Sequence, residues 1–184
     1  GVASCRGQTA EDLVCNATTD NAAGTALVLS LAERLGTWEF ARPRRSVIVA
    51  FWDAEEIGLL GSKAYVADPL VPLEDTVAYL NFDVQGANLR ASIASNTFAV
   101  GAETGGSILT QAVRDAAEPS TLDTRLLSLV FGQGRSDYAP LASAGVPVVS
   151  FTDSSGPCYH HAADDLAALD RVKMAEQLET GSRL

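Results

Sequence analysis

Apolar residues along this chain gather into short runs separated by helix-length stretches of mixed polarity, and that alternation predicts the architecture. Ser46-Val-Ile-Val-Ala-Phe-Trp52 carries no charge and is rich in β-favouring side chains. It reads as a strand covered on both faces, the kind found inside a parallel sheet. Val77-Ala-Tyr-Leu-Asn-Phe82, Arg125-Leu-Leu-Ser-Leu-Val130 and Val146-Pro-Val-Val-Ser-Phe151 are further runs of this kind. In the stretch from Asn21 to Leu35, the residues Leu27, Leu31, Ala32 and Leu35 keep helical spacing. Further helices are expected around Ile57 to Ala67, Ser107 to Ala117, Tyr138 to Ala144 and Leu166 to Leu178. Loops are expected over Gly36 to Arg45, Ala67 to Asp75 and Thr152 to Pro157. Strands and helices in alternation imply crossover units and an α/β fold whose mostly parallel or mixed central sheet is flanked by helices.

The ends of these elements carry the chemistry. Glu55 and Glu56 follow the Ser46 run directly, Asp83 follows the Val77 run, and Asp20 stands at the N-cap of the first helix. The Val146 run leads into Thr-Asp-Ser-Ser-Gly-Pro-Cys-Tyr-His-His161, which holds both histidines of the chain. Ligands and catalysis in open α/β sheets collect at the carboxyl ends of strands. Taken one at a time, each residue has a plainer reading. Adjacent acids suit a helix start, a lone Asp before a helix is an N-cap, Asp83 caps the segment after its strand, and His160 and His161 are loop histidines. Four element ends delivering Asp, Glu, Asp and His together favour a mixed carboxylate and imidazole site, which suits zinc.

In order, the chain shows Asp20-Asn-Ala-Ala-Gly-Thr-Ala26, Asp53-Ala-Glu-Glu-Ile-Gly-Leu-Leu-Gly-Ser62, Leu80-Asn-Phe-Asp83, Ser136-Asp-Tyr138 and Cys158-Tyr-His160. Together these motifs resemble the zinc-dependent aminopeptidase family, which includes bacterial leucyl aminopeptidases, carboxypeptidase-like members and glutaminyl cyclases. The resemblance implies the three-layer zinc-exopeptidase fold of the phosphorylase/hydrolase type. It makes Asp20 the carboxylate between two zinc ions, Glu56 and His160 the other ligands of one site, and Asp83 a ligand of the second. Glu55 becomes the general base acting on a zinc-activated water, and Tyr159 the donor to the tetrahedral oxyanion. Ser136, Asp137 and Tyr138 would line the substrate pocket, and Asp164 would be a supporting acid. One departure stands out: the family's second site also uses a histidine upstream of Asp20, and this chain has none before His160. The expectation is one well-formed zinc site from Asp20, Glu56 and His160, and a second, from Asp20 and Asp83, left incomplete. The opening Gly1-Val-Ala-Ser4 resembles text that comes after the missing motif, so a single catalytic domain lacking its N-terminal part is expected.

Composition narrows the alternatives. With 184 residues, 47% of them hydrophobic and 20% charged, the chain suits one α/β domain with a substantial core. The net charge of −10 argues against nucleic acid, whose phosphates need a basic footprint. No apolar stretch approaches the ~20 residues of a membrane span, and no signal peptide is present. Three cysteines permit at most one internal bridge: either Cys5 pairs locally with Cys15 and leaves Cys158 free beside the site, or all three stay reduced. Asn16-Ala-Thr18 is formally a glycosylation acceptor. A secreted or periplasmic setting is expected from the resemblance, as are peptide substrates with a free N-terminus. The alternatives are a single-zinc glutaminyl cyclase and an impaired homologue kept as a binding module. A serine hydrolase fails for want of a Gly-x-Ser-x-Gly elbow.

Overall fold

The computed structural model describes residues 5–37, 45–131 and 135–184. Most of the expected Gly36 to Arg45 loop therefore lies outside the described residues, as does the opening Gly1 to Ser4. Among the described residues the sheet has four strands, β1 (Tyr79–Phe82), β2 (Asn96–Val100), β3 (Asp123–Leu127) and β4 (Val148–Thr152), in the spatial order β1-β4-β2-β3. β1 runs parallel to β4 with Tyr79 opposite Val148 and Phe82 opposite Phe151. β2 runs parallel to β3 but antiparallel to β4, so the sheet is mixed. Because β1 and β4 point the same way, their carboxyl ends open onto one edge, and the loops bearing Asp83 and His160 leave from there.

Side-chain alternation then divides the core into two halves. Leu80, Phe82, Val149 and Phe151 face α1 (Ala23–Thr37), α3 (Gly106–Ala117) and α5 (Arg171–Arg183) through Leu27, Leu31, Val113, Met174 and Leu178. Phe82 and Phe151, register partners on neighbouring strands, stack with ring centroids 5.2 Å apart. Tyr79 and Val148 face the other way, against α2 (Leu60–Ala67) and α4 (Tyr138–Ser143), where Tyr65, Val66, Tyr138 and Leu141 close a second cluster. The result is helix, sheet and helix in three layers, as the resemblance implied.

Three expectations need correction. The Ser46 to Trp52 run is not a strand: residues 45–52 form no ladder, and Val47, Ile48, Val49 and Phe51 are 41–52% exposed. An apolar run becomes a buried strand only where another strand accepts its backbone hydrogen bonds. Here its last residue is docked, through Trp52 Nε1 donating to Tyr79 Oη at 2.9 Å and its ring meeting Tyr65. The closing helix spans Arg171–Arg183 rather than Leu166 to Leu178, because the Asp170 carboxylate accepts from Lys173 N at 3.0 Å and caps it there. Finally, β2 had no counterpart in the pattern, since Asn96-Thr-Phe-Ala-Val100 is short and only half apolar.

Cys5 and Cys15 form a disulfide with Cα atoms 6.4 Å apart, and Cys158 is free. That spacing is within the usual range for a bridge.

Candidate metal centre

Asp20 sits in an irregular turn, Thr18–Ala22, just ahead of α1, where Asp20 and Asn21 have non-helical backbone angles and their peptide bond is cis. Two groups hold that turn. Asp164, buried, accepts from Thr19 N with both carboxylate oxygens at 3.0 Å, from Thr19 Oγ1 at 2.9 Å and from Asp20 N at 3.2 Å. Asn21 reaches forward to the end of β1, donating from Nδ2 to Phe82 O at 3.0 Å and accepting from Val84 N at 3.3 Å. Gly24 allows this approach, because a Cβ there would collide with Asn21 Oδ1 and Phe82 O. Thus the start of α1 is pinned to the strand end that carries Asp83.

Glu55 and Glu56 occupy a tight turn rather than a helix start. Gly58 N and Leu59 N both donate to Glu55 O, at 3.0 and 2.9 Å, and Leu60 N donates to Ala54 O at 3.2 Å. Ala54 and Leu59 adopt left-handed angles to make it possible. His160 lies in the loop after β4 with φ 54°, also left-handed. Residues with a Cβ rarely adopt that region, and they do so mostly where function or surrounding structure requires it.

These three segments bring Asp20, Glu56 and His160 together, with one ligand atom from each lying within 4.8 Å of the others. His160 Nε2 stands 3.1 Å from Asp20 Oδ2 and 3.0 Å from Glu56 Oε1. Nevertheless that nitrogen is buried and has no hydrogen-bond partner. It approaches both oxygens without the alignment of a donor. A divalent cation explains such a nitrogen. Two atoms each about 2.0–2.1 Å from one ion at a tetrahedral angle lie about 3.3 Å apart, close to what is seen. The donor set, two carboxylates and an imidazole, has the chemistry of a catalytic zinc site with one position left for water. His161 stands outside the group and uses its Nδ1 to accept from Ala163 N at 3.1 Å.

Charge crowding supports the same assignment. Burial, then the neighbouring Asp83 and Glu56, raise the Asp20 carboxyl to about 7, with His160 opposing. Burial, then Asp83, Glu56, Asp137 and Asp20, raise Glu55 to about 7. Asp83 is raised by burial against a hydrogen bond from Ser136 that lowers it. Its own charge bears on Asp20 and Glu55, although it is not among the three clustered ligands. So many acids facing one another are a poor arrangement without a cation to neutralise them.

The remaining predicted residues surround this group. Ser136 is buried and takes a hydrogen bond from Asn81 Nδ2 at 2.9 Å besides serving Asp83. Asp137 accepts from Ser62 Oγ at 2.5 Å, tying the start of α4 to α2, the helix that follows the turn of the two glutamates. Tyr138 is buried core at the start of α4 rather than an open pocket wall. Tyr159 stacks on the His160 ring with centroids 3.9 Å apart, and burial followed by the Asp20 and Glu56 charges raises its phenol to about 12. Asn21, Ser62 and Asn81 were not singled out from the sequence. Their signal was their position inside the motifs that carry the acids. Behind the site lies a buried pair that no pattern announces: Lys173 Nζ on α5 is 3.1 Å from Asp153 Oδ1 just past β4.

The family model described as Peptidase family M28 matches residues 8–181. A probable glutamate carboxypeptidase, LAMP1 of Arabidopsis thaliana, is 33% identical over 170 residues, covering 83% of this chain and 24% of that protein. Among solved structures, an aminopeptidase from Aneurinibacillus sp. strain AM-1 superposes with a TM-score of 0.74 at 23% identity, covering 91% of this chain and 39% of that one. BSAP, a zinc aminopeptidase from Bacillus subtilis, gives 0.73 at 24% identity, covering 91% and 41%. The chain therefore spans less than half the length of each of these proteins. A family match across nearly the whole chain, residues 8–181, establishes that this chain belongs to peptidase family M28.

Proposed function

We propose that this chain carries the catalytic centre of a zinc-dependent aminopeptidase, with Asp20, Glu56 and His160 as zinc ligands and Glu55 as general base. The observation that carries the reading is the buried, unpartnered Nε2 of His160, set 3.0–3.1 Å from two carboxylate oxygens. Zinc bound by these residues would lower the pKa of a water toward about 7 and polarise a peptide carbonyl. Glu55, raised to about 7 by burial and its acidic neighbours, is suited to take a proton from the attacking water and return it to the leaving amine. Tyr159, with its phenol near 12, stays protonated at neutral pH and is the proposed donor to the developing oxyanion. Asp83, with Asp20, would begin a second and weaker metal site. Peptides with a free amino terminus are the proposed substrates, since the acids grouped around Glu55 favour an ammonium group. We also propose an exported protein. The Cys5–Cys15 disulfide supports that setting, and no helix among the described residues is long and apolar enough to cross a membrane.

The test is metal content of the purified, zinc-resupplied chain alongside hydrolysis of leucine p-nitroanilide. Glu55→Gln should keep its zinc and lose about a hundredfold or more in rate, whereas Glu56→Ala should lose the zinc itself. A zinc-free Glu55→Gln protein would overturn the assignment of roles. Ammonia released from an N-terminal glutaminyl peptide as its amino group displaces the side-chain amide nitrogen, with no peptide bond cut, would assign a cyclase instead.

A further inference from the structure

We infer that the disulfide-closed loop from Cys5 to Cys15 is a positioning element for His160, and that its closure sets how tightly Asp20, Glu56 and His160 hold their metal. The inference rests on the zinc site proposed above. Its first support is a direct backbone link. Arg6 forms an isolated parallel bridge with His161, in which Arg6 N donates to His160 O at 2.9 Å and Ala162 N donates to Arg6 O at 2.8 Å. These bonds grip the chain on both sides of the His160–His161 turn. His160 itself is in the left-handed region, so its turn persists only while its surroundings hold it.

The second support is close contact. Gly7 has φ +72°, and a Cβ there would strike the His161 imidazole on three of its ring atoms. The loop therefore lies flush against the turn that carries the ligand. Its far end is fixed to the other half of the site. After Cys15, Asn16 Nδ2 donates to Asp165, Thr18 N donates to Asp164 O at 3.0 Å, and Asp20 follows Thr19. One closed loop thus touches the backbone of His160 at one end and leads directly into Asp20 at the other.

The third support concerns what holds the loop in place. Its interior bonds are local turn contacts at the surface, Gln8 Nε2 to Leu13 O at 2.8 Å, Thr9 N to Asp12 O at 2.9 Å, and Glu11 N and Asp12 N to Thr9 Oγ1 at 3.3 and 3.1 Å. Leu13 and Val14, its largest apolar side chains, are 68% and 61% exposed. A segment without a buried apolar anchor cannot offset its own ordering entropy. The disulfide supplies that constraint by limiting the conformations open to the loop.

The experiment is zinc affinity of the full chain, measured by competition with a chromophoric chelator. Cys5→Ser/Cys15→Ser should bind zinc about ten- to a hundredfold more weakly than wild type, the usual effect of losing groups that orient a ligand. Gly7→Ala, with the bridge intact, should weaken binding in the same direction, and adding His161→Ala should restore part of it by making room for the Cβ. Gly7→Ala keeps the test open should the serine variant fail to fold. Arg34→Ala removes a remote link between α1 and α5 and should lower the melting temperature without changing zinc affinity. Unchanged affinity in both loop variants overturns the inference, as does an equal loss in Arg34→Ala. A wild-type chain that binds no zinc overturns the site assignment and this inference with it, whereas a zinc-binding wild type with unaltered loop variants overturns the loop's role alone.

Discussion

Replacing Lys173 by Met should be among the most damaging single changes outside the metal ligands. The side chains of Lys173 and Asp153 are only 2% and 0% exposed, and Nζ lies 3.1 Å from Asp153 Oδ1. Unit charges at that separation attract by about 5 kcal/mol at an effective dielectric of about 20, and the cost of stripping both of water offsets much of it. Removing the lysine alone forfeits the attraction while keeping the cost. Lys173 Nζ also donates to Ala87 O at 2.7 Å, and Asp153 Oδ2 accepts from Ala87 N at 3.0 Å, so the pair clamps α5 to the loop beyond Asp83. A loss of about 3–5 kcal/mol is expected for Lys173→Met, as for other broken buried pairs. The penalty should depend on pH in a definite direction. Burial already raises the Asp153 carboxyl, and Lys173 opposes that rise. Without the lysine the group rises further and takes up a proton on the acid side. An acid whose native pKa is raised contributes stability below that pKa and loses it as pH climbs through it, so the penalty is smaller at pH 5 than at pH 8. Equilibrium urea denaturation at both values measures this, with Lys173→Met/Asp153→Asn as the partner variant that removes the stranded charge. A loss below about 1 kcal/mol for the single variant, or a double variant no more stable than the single, would refute the reasoning.

Two further outcomes are expected at the site. Asp164→Ala strands one buried and one part-buried backbone donor, Thr19 N and Asp20 N, that the carboxylate now satisfies. At about 1–3 kcal/mol for each, denaturation should show a loss of about 2–6 kcal/mol, and a change within about 0.5 kcal/mol, typical of a surface site, would contradict the bonding described. The metal-free chain should lose thermal stability as pH rises through about 7, because Asp20 and Glu55 near 7 keep protons that the unfolded chain has already shed from ordinary carboxyls. Saturating zinc should remove that slope, and a melting temperature that rises with pH in excess chelator would show that the acids do not face one another as described.

Much of this protein was legible in its sequence. The alternation of apolar runs and helical stretches foretold an α/β sandwich, because period-2 and period-3.6 patterns are local properties that burial converts directly into strands and helices. Asp20, Glu55, Glu56, Asp83 and His160 were visible as candidates because, although each has a local use by itself, acids and a histidine at several element ends together suit a metal. What tertiary structure decided was pairing. Val47, Ile48, Val49 and Phe51 carry the pattern of a buried strand yet lie exposed, because no local signal says whether a neighbouring strand is present to bond with them. Asn96–Val100 is a central strand with an unremarkable sequence, because β3 and β4 flank it. Likewise nothing in the chain near His160 shows that Arg6 grips its backbone, or that Lys173 neutralises Asp153 at the back of the site. Those contacts join residues far apart in sequence, and such partners are chosen by the packing of the whole fold, which a local pattern does not contain.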